Sequence, residues 1–209
     1  MTTAPERPAV TPARIAEAAL ALLDEGPDET VLTMRSLAAR LGVQAPSLYA
    51  HVSGMDEIHD LVHSLINSTI DVSVVDGSVD PQDLVELGRR FRHAYRSHRV
   101  AASMIVSRSV NREHALRVYE AIASFLTRYG VPSDRVMPLM ALFDNLVLGS
   151  AVEPFEAAFA GVPYDYAVRH PHLAQALDAT ARDAVDDVAF EWGMSAYLDL
   201  MESVAATAR

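Results

Sequence analysis

The sequence predicts an all-α protein, with an N-terminal three-helix helix-turn-helix module joined by a connector helix to a larger helical body. Three observations carry that prediction. Apolar residues recur along most of the chain at spacings of three and four, the period of a helix face. Glycine and proline fall between those runs, at Gly26-Pro27, Gly130-Val-Pro132 and Gly161-Val-Pro163, where they end one helix before the next begins. The one β-branched stretch, Val72 to Val79, finds no partner strand elsewhere and reads as a loop.

The elements follow in order. Residues 1–10, with Pro5 and Pro8, read as a disordered arm. Thr11-Pro12 starts a helix, a capping hydroxyl followed by proline at the first position, and Ile15, Ala18, Ala19, Leu22 and Leu23 form its apolar stripe. Thr33 caps a second helix on which Met34, Leu37, Ala38 and Leu41 share a face, and Gly42 stands where a left-handed residue is wanted. A third helix is expected from Gln44 to His51, with Pro46 tolerated in its first turn. Leu48 and Val52 face inward, while Gln44, Ser47, Ala50 and His51 face outward. By pattern alone, this is either a hairpin that only packs or one that reads DNA.

A longer helix is expected from Asp56 to about Val72, with Ile58, Leu61, Val62, Leu65, Ile66 and Ile70 as its apolar face. Helical patterns resume at about 81–98, 100–107, 112–129, 134–151, 171–180 and 186–207. In the last of these, Val185, Val188, Ala189, Trp192, Gly193 and Ala196 share one broad face. The small residues there admit a second helix closely, from this chain or from another copy, with Trp192 as anchor. Asp144 and Asn145 interrupt the apolar run from Leu139 to Leu148, so they need partners: a pocket, an interface or an internal hydrogen bond.

Composition bounds the function. The chain has 209 residues, half of them hydrophobic, no cysteine and a formal net charge of −11. The absence of cysteine excludes disulfides and thiolate metal sites and fits a cytoplasmic location. No apolar run approaches the ~18 residues that span a bilayer, so no membrane partner is expected. The acidity disfavours a non-specific nucleic-acid coat, which needs a broad basic face. Even residues 1–58 carry four arginines against eight acidic side chains, so any DNA contact there rests on a few placed groups.

Chemistry of other kinds finds little support. His59 and His63 are four apart with Asp56 and Asp60 nearby, but no third ligand follows, so they read as exposed or partner-contacting histidines. His170-Pro-His172 falls in an expected loop beside Arg169. There is no glycine-rich phosphate loop, no G-x-S-x-G and no cysteine nucleophile. No catalytic residue, metal site or cofactor is assigned. An all-α small-molecule-binding protein or enzyme without DNA binding is the alternative.

Leu37-Ala-Ala-Arg-Leu-Gly-Val43 followed by Ser47-Leu-Tyr-Ala-His-Val52 closely resembles the DNA-binding domain of the tetracycline-repressor (TetR) family. There an L-A-x-x-L-G-V helix runs into L-Y-x-H-V. Ser97-His-Arg99, Leu142 to Gly149 and Phe190 to Met194 resemble that family's ligand-binding and dimerisation domain. The resemblance implies a DNA-binding domain at 11–55 and a ligand-binding and dimerisation domain at 56–209, with the helix at 56–72 connecting them. It implies a repressor that binds a palindromic double-stranded operator as a homodimer and is released by a small-molecule effector.

On that resemblance, Gln44, Ala45, Pro46, Ser47 and Ala50 form the base-facing surface, with Pro46 and Ala50 limited to apolar contacts such as thymine methyls. Arg35 stands where the tetracycline repressor reads a guanine. Tyr49 and His51 match phosphate-contact positions, and Thr33 joins them. The lysine usual after the recognition helix is Met55 here, which removes one phosphate contact.

Phe91 stands where the tetracycline repressor touches its drug, with Tyr95, Met104, Ile105, Ile122 and Phe125 as expected apolar neighbours. His63, Asn67, Asp144 and Asn145 complete the expected ligand set. The family's magnesium-holding histidine aligns with Ile105 and its drug-contacting glutamine falls near Ile122, which points to a largely apolar organic effector rather than metal-tetracycline. The implied dimer is a four-helix bundle of 134–151 and 186–207 from two subunits, drawing on Met140, Leu148, Val188, Ala189, Trp192, Gly193 and Ala196.

Overall fold

Helix α1, Pro12–Glu25, begins as its sequence dictates, with the Thr11 hydroxyl accepting from the Arg14 N–H at 3.3 Å and Pro12 in the first turn. A computed structural model describes residues 9–106, 113–152, 155, 166–179 and 184–207 of the chain. The expected arm up to residue 8 and the loop at 161–165 lie outside the described residues. The remaining helices are α2 Met34–Leu41, α3 Ala45–Leu48, α4 Met55–Ser68, α5 Pro81–Arg96, α6 Arg99–Val106, α7 Glu113–Tyr129, α8 Ser133–Val152, α9 Tyr166–Arg169, α10 Pro171–Ala179 and α11 Val185–Ala206. The described residues contain no strand, and Val72 to Val79 holds a single 3-10 turn, Ser73–Val75, between loops.

The chain forms two compact units, one from residues up to Ile70 with Ser97–Val118, the other from Asp71–Arg96 with Tyr119–Arg209. In the first, α1 packs on α2, α4 and α6, and Ile15, Ala19, Leu23, Leu37, Leu48, Val52, Ile58, Val62 and Ile66 are buried together as its core. Polar bonds tie its edges. Arg40 grips the Glu25 carboxylate with its two terminal nitrogens, Nη1 and Nη2, at 2.5 and 2.7 Å, which holds the Glu25 carboxyl below its usual range. The His98 Nδ1 meets Asp24 at 2.9 Å.

Two elements are shorter than their sequence pattern. The third helix closes at Leu48 rather than His51, because His51 N–H turns back to the Leu48 carbonyl at 2.9 Å and tightens the chain into an i→i+3 turn. The connector helix stops at Ser68 instead of Val72. There Thr69 N–H bonds the Ile66 carbonyl, and Asp71 accepts from Ser73 N–H in an Asx turn that starts a new direction. The Arg117 guanidinium donates to the Ile70 carbonyl at 3.0 Å and, at 3.4 Å, to the Asn67 carbonyl, one of the backbone groups that the helix end leaves open.

In the second unit, α8 packs between α5 and α11. Two glycines permit this. A Cβ on Gly88 would lie 3.2 Å from Met194 Cε, and one on Gly193 would lie 2.5 Å from Leu146 Cδ1, so α11 is pressed against α5 and α8 of its own chain. The expected bilayer test has an exception in α8, which is long and apolar enough to cross a membrane by length and composition alone, at mean hydropathy 1.3. Sequence windows missed it because Asp134, Arg135, Asp144 and Asn145 break the run. Its Leu139, Met140, Phe143, Val147 and Ala151 are buried in the core of the unit.

Candidate nucleic-acid interface, ligand residues and apolar face

The candidate reading head is built from a capping box, a glycine turn and a two-residue anchor. Thr33 Oγ1 accepts from the Ser36 N–H at 3.0 Å while Thr33 N–H donates to Ser36 Oγ at 2.9 Å. Gly42 takes φ 70°, the left-handed region, and its N–H closes on the carbonyls of α2. Leu48 and Val52 are buried, which leaves the other side of α3 and its following turn outward. Gln44, Pro46, Ser47, Tyr49, Ala50 and His51 are exposed, with Tyr49 at 59%, and Ala45 is half-buried. Ser47 Oγ donates to the Gln44 carbonyl at 2.7 Å.

Arg35 and Arg40 lie on the same short helix and differ in availability. Arg40 is held by Glu25, whereas Arg35 is exposed and makes no hydrogen bond or ion pair among the described residues. Ser36, the second half of the cap, was not singled out by the sequence, because the familiar signal at that spacing is glutamate or glutamine.

The ten expected ligand residues fall in both units. His63, Asn67, Met104 and Ile105 are buried in the first. His63 is buried and partnered, which leaves partner contact of the two readings its sequence allowed. It points to the inner face of α4, and burial pushes its imidazole below the usual range. Asn67 Nδ2 donates to the His63 carbonyl at 3.0 Å. His170 and His172 are exposed, and Pro171 starts a helix at once, so His172 sits in the first turn of α10 and not in a loop. Among the described residues, no three histidine or acidic side chains gather closely enough to hold a metal ion.

The second unit holds Phe91, Tyr95, Ile122, Phe125, Asp144 and Asn145. The Phe91 and Tyr95 rings meet at 5.2 Å between centroids, tilted by 51°, and Ile122 and Phe125 are buried. The neighbours Asp144 and Asn145 go separate ways. Asp144 is half-buried and accepts from the Tyr119 hydroxyl at 2.8 Å. Burial pushes its carboxyl above the usual range, and the Tyr119 bond works against that rise. Burial and the Asp144 charge push the Tyr119 phenol up. Asn145 is exposed, on the side of α8 that also exposes Ala141, Leu142 and Gly149. Tyr119, which partners Asp144 from α7, carried no signal in the sequence.

The expected interface residues divide as well. Trp192 is 74% exposed, and Val188, Ala189 and Ala196 are exposed beside it on α11. Leu148 is half-buried and Met140 is already buried within this chain. The missing side chain of Gly193 is explained inside the chain, by Leu146. Met137 at 68%, Leu142 and Leu200 extend the exposed apolar surface beyond the residues expected.

An all-helical chain with a capped α2, a left-handed glycine turn and a short outward-facing α3 has the architecture of a helix-turn-helix regulator. A family model described as the tetracyclin repressor-like C-terminal domain matches residues 81–205. The chain belongs to the tetracycline-repressor family of transcriptional regulators. Among curated relatives, an HTH-type transcriptional regulator of Saccharopolyspora erythraea is 31% identical over 144 residues, covering 69% of this chain. The match spans only 61% of that relative's own length. The tetracycline repressor protein class A from transposon 1721, of Escherichia coli, is 29% identical over 90% of this chain and 88% of its own.

Among solved structures, a possible TetR family transcriptional regulator from Streptomyces coelicolor superposes with TM-score 0.78 at 25% identity, over 92% of this chain and 99% of that one. ActR from the same organism, in complex with actinorhodin, shares the fold with TM-score 0.75 at 23% identity, over 96% and 99% of the two chains. These relatives are named as regulators, not enzymes.

Proposed function

We propose that the chain is a ligand-responsive transcriptional repressor of the cytoplasm, which binds a palindromic DNA operator as a homodimer and is released by a small, largely apolar organic molecule. The observation that carries this reading is the polar and small outer surface of α3 and its following turn, anchored from beneath by Leu48 and Val52. In the major groove, Gln44 and Ser47 offer hydrogen bonds, while Ala45, Pro46 and Ala50 offer apolar contact. Arg35, unpaired, is free to fork onto a guanine. Tyr49 and His51 take phosphates. A phosphate at Thr33 competes with Ser36 for the hydroxyl proton, since the two oxygens lie 3.0 Å apart.

The dimer rests on Trp192, Val188, Ala189 and Ala196 with Met137, Leu142 and Leu148, and Asn145 belongs with this exposed surface rather than with the ligand. Both α8 and α11 expose large apolar residues, and an exposed apolar face of that kind calls for cover. A two-fold axis gives two reading heads matched to a palindrome. For the effector, the buried ring pair Phe91–Tyr95 with Ile122, Phe125 and the Tyr119–Asp144 pair supports an aromatic or aliphatic body with one polar group. Solved neighbours carry actinorhodin in one case and minocycline in another. The effector releases DNA by preferring the conformer whose reading heads are misspaced, and a hundredfold preference supplies about 2.7 kcal/mol.

Footprinting of the intact protein on DNA flanking its own gene tests the reading. A protected palindrome is expected. Absence of protection at low salt, where phosphate contacts are strongest, removes the repressor reading and leaves a binding protein or enzyme.

A further inference from the structure

Asp144 is a half-buried carboxylate that meets no cation. Its one hydrogen bond among the described residues comes from the Tyr119 hydroxyl, to Oδ1 at 2.8 Å. Oδ2 has no partner there, and unlike the sealed Oδ2 of Asp186 it keeps surface open to solvent. Other carboxylates of the same unit are matched by arginines. Glu191 takes Arg89, Asp187 takes Arg92 and Arg96, and Glu86 takes Arg90. At Asp144 only burial and the Tyr119 bond act on the carboxyl, with no positive charge beside them, and burial prevails.

The surroundings are aromatic. The Tyr95 phenol adds to the upward push on Tyr119, which places the two phenols near each other. The Tyr95 ring in turn meets the buried Phe91 ring at 5.2 Å between centroids. Asp144, Tyr119, Tyr95 and Phe91 thus form one chain of neighbours inside the second unit. Its charge-sensing parts are a carboxylate, phenol oxygens and ring faces, and each of these favours a positive charge.

We propose that the effector is an amine, whose protonated nitrogen donates to Asp144 Oδ2 while its apolar body packs toward the Phe91–Tyr95 ring pair. The proposal rests on the effector reading above and names the polar group which that reading left open. An ammonium supplies the counter-charge that the fold withholds, and a hydrogen bond between two charged groups is about twice as strong as a neutral one. Ring faces add to the attraction. The net charge of −11 draws a cation toward the protein and repels an anion. A metal ion fits less well, since among the described residues no three histidine or acidic side chains gather to hold one.

Calorimetric titration of the full-length protein at neutral pH, without DNA, tests the proposal. The probes are matched pairs: benzylamine and benzyl alcohol, naphthylmethylamine and naphthylmethanol, octylamine and octanol. At least one amine is expected to bind tenfold or more tightly than its alcohol. Asp144→Asn removes that preference and leaves the alcohol within twofold. Asp76→Asn, an equal loss of charge at an exposed position, leaves the preference within twofold. If the alcohols bind as tightly as the amines, or if Asp144→Asn keeps the preference, the proposal falls and the effector reading stands. It falls too if Asp76→Asn removes the preference, since overall charge is then the attraction. A change of oligomeric state in Asp144→Asn also overturns it, because the carboxylate then serves a contact between copies. If no amine and no alcohol binds, the effector reading falls with it.

Discussion

The reading head and the α8–α11 pair each leave one side of their helices uncovered, and they do so with opposite chemistry. Around α3 the uncovered residues are Gln44, Pro46, Ser47, Ala50 and His51, short or polar, with a free Arg35 beside them. On α8 and α11 they are Met137, Leu142, Val188, Trp192 and Leu200, large and apolar. A surface of the first kind is stable in water and gains by exchanging water for base edges and phosphates. A surface of the second kind loses by staying in water and gains by covering itself with its own kind. On the proposed reading, these are two unlike invitations: a few placed contacts for a charged polymer, and an apolar face for a second copy.

Four substitutions test that contrast, taken from the largest expected effect to the smallest. Trp192→Ala removes the most exposed large aromatic of the apolar face and is expected to weaken dimerisation by about 2–4 kcal/mol, measured by sedimentation equilibrium. If the mutant self-associates like the wild type, the apolar face has another occupant. Arg35→Ala is expected to cost about 1–3 kcal/mol of operator binding and to relax specificity at one base position. Gel shifts across operator variants decide it, because a uniform loss over all sequences would make Arg35 a phosphate contact instead. Thr33→Ala breaks the capping box and is expected to cost about 1 kcal/mol of stability, read from the denaturation midpoint, while leaving self-association untouched.

The smallest effect is expected at Asp144. Its folded carboxyl is raised, so the charged form is disfavoured in the native state, and the stability tied to the protonated form is lost as pH rises through that raised value. Asp144→Asn keeps an acceptor for Tyr119 without the charge. It is expected to be slightly more stable than wild type at neutral pH, with the advantage shrinking as pH falls toward the ordinary carboxylate range. Urea melts at several pH values measure this, and a pH-independent difference would contradict it.

Much of the reading head was legible in the chain. Thr33 as a cap, Gly42 as the left-handed turn, and Leu48 and Val52 as the inward pair follow from spacing and backbone chemistry confined to a few neighbouring residues. Helix ends were less legible. Tyr49 to His51 and Thr69 to Ile70 continue an apolar or neutral pattern, yet each segment turns on an i→i+3 bond that no periodicity records. His63, which the sequence left as exposed or partner-contacting, is turned inward by its register on α4. Gly193 looked like an invitation to a second subunit, and the packing of Leu146 accounts for it within one chain.

The sequence by itself determined the all-α class, the order of most helices, the turn between α2 and α3, and the family. These depend on residues within one or two helical turns of each other, where periodicity and capping act. Only the tertiary structure decided which polar groups are spoken for. Arg40 meets Glu25 across 15 residues, Tyr119 meets Asp144 across 25, and Arg92 meets Asp187 across 95, while Arg35 is left open. Such pairings are fixed by which helix faces touch, so charges that are alike in the sequence become a brace in one place and a free contact in another.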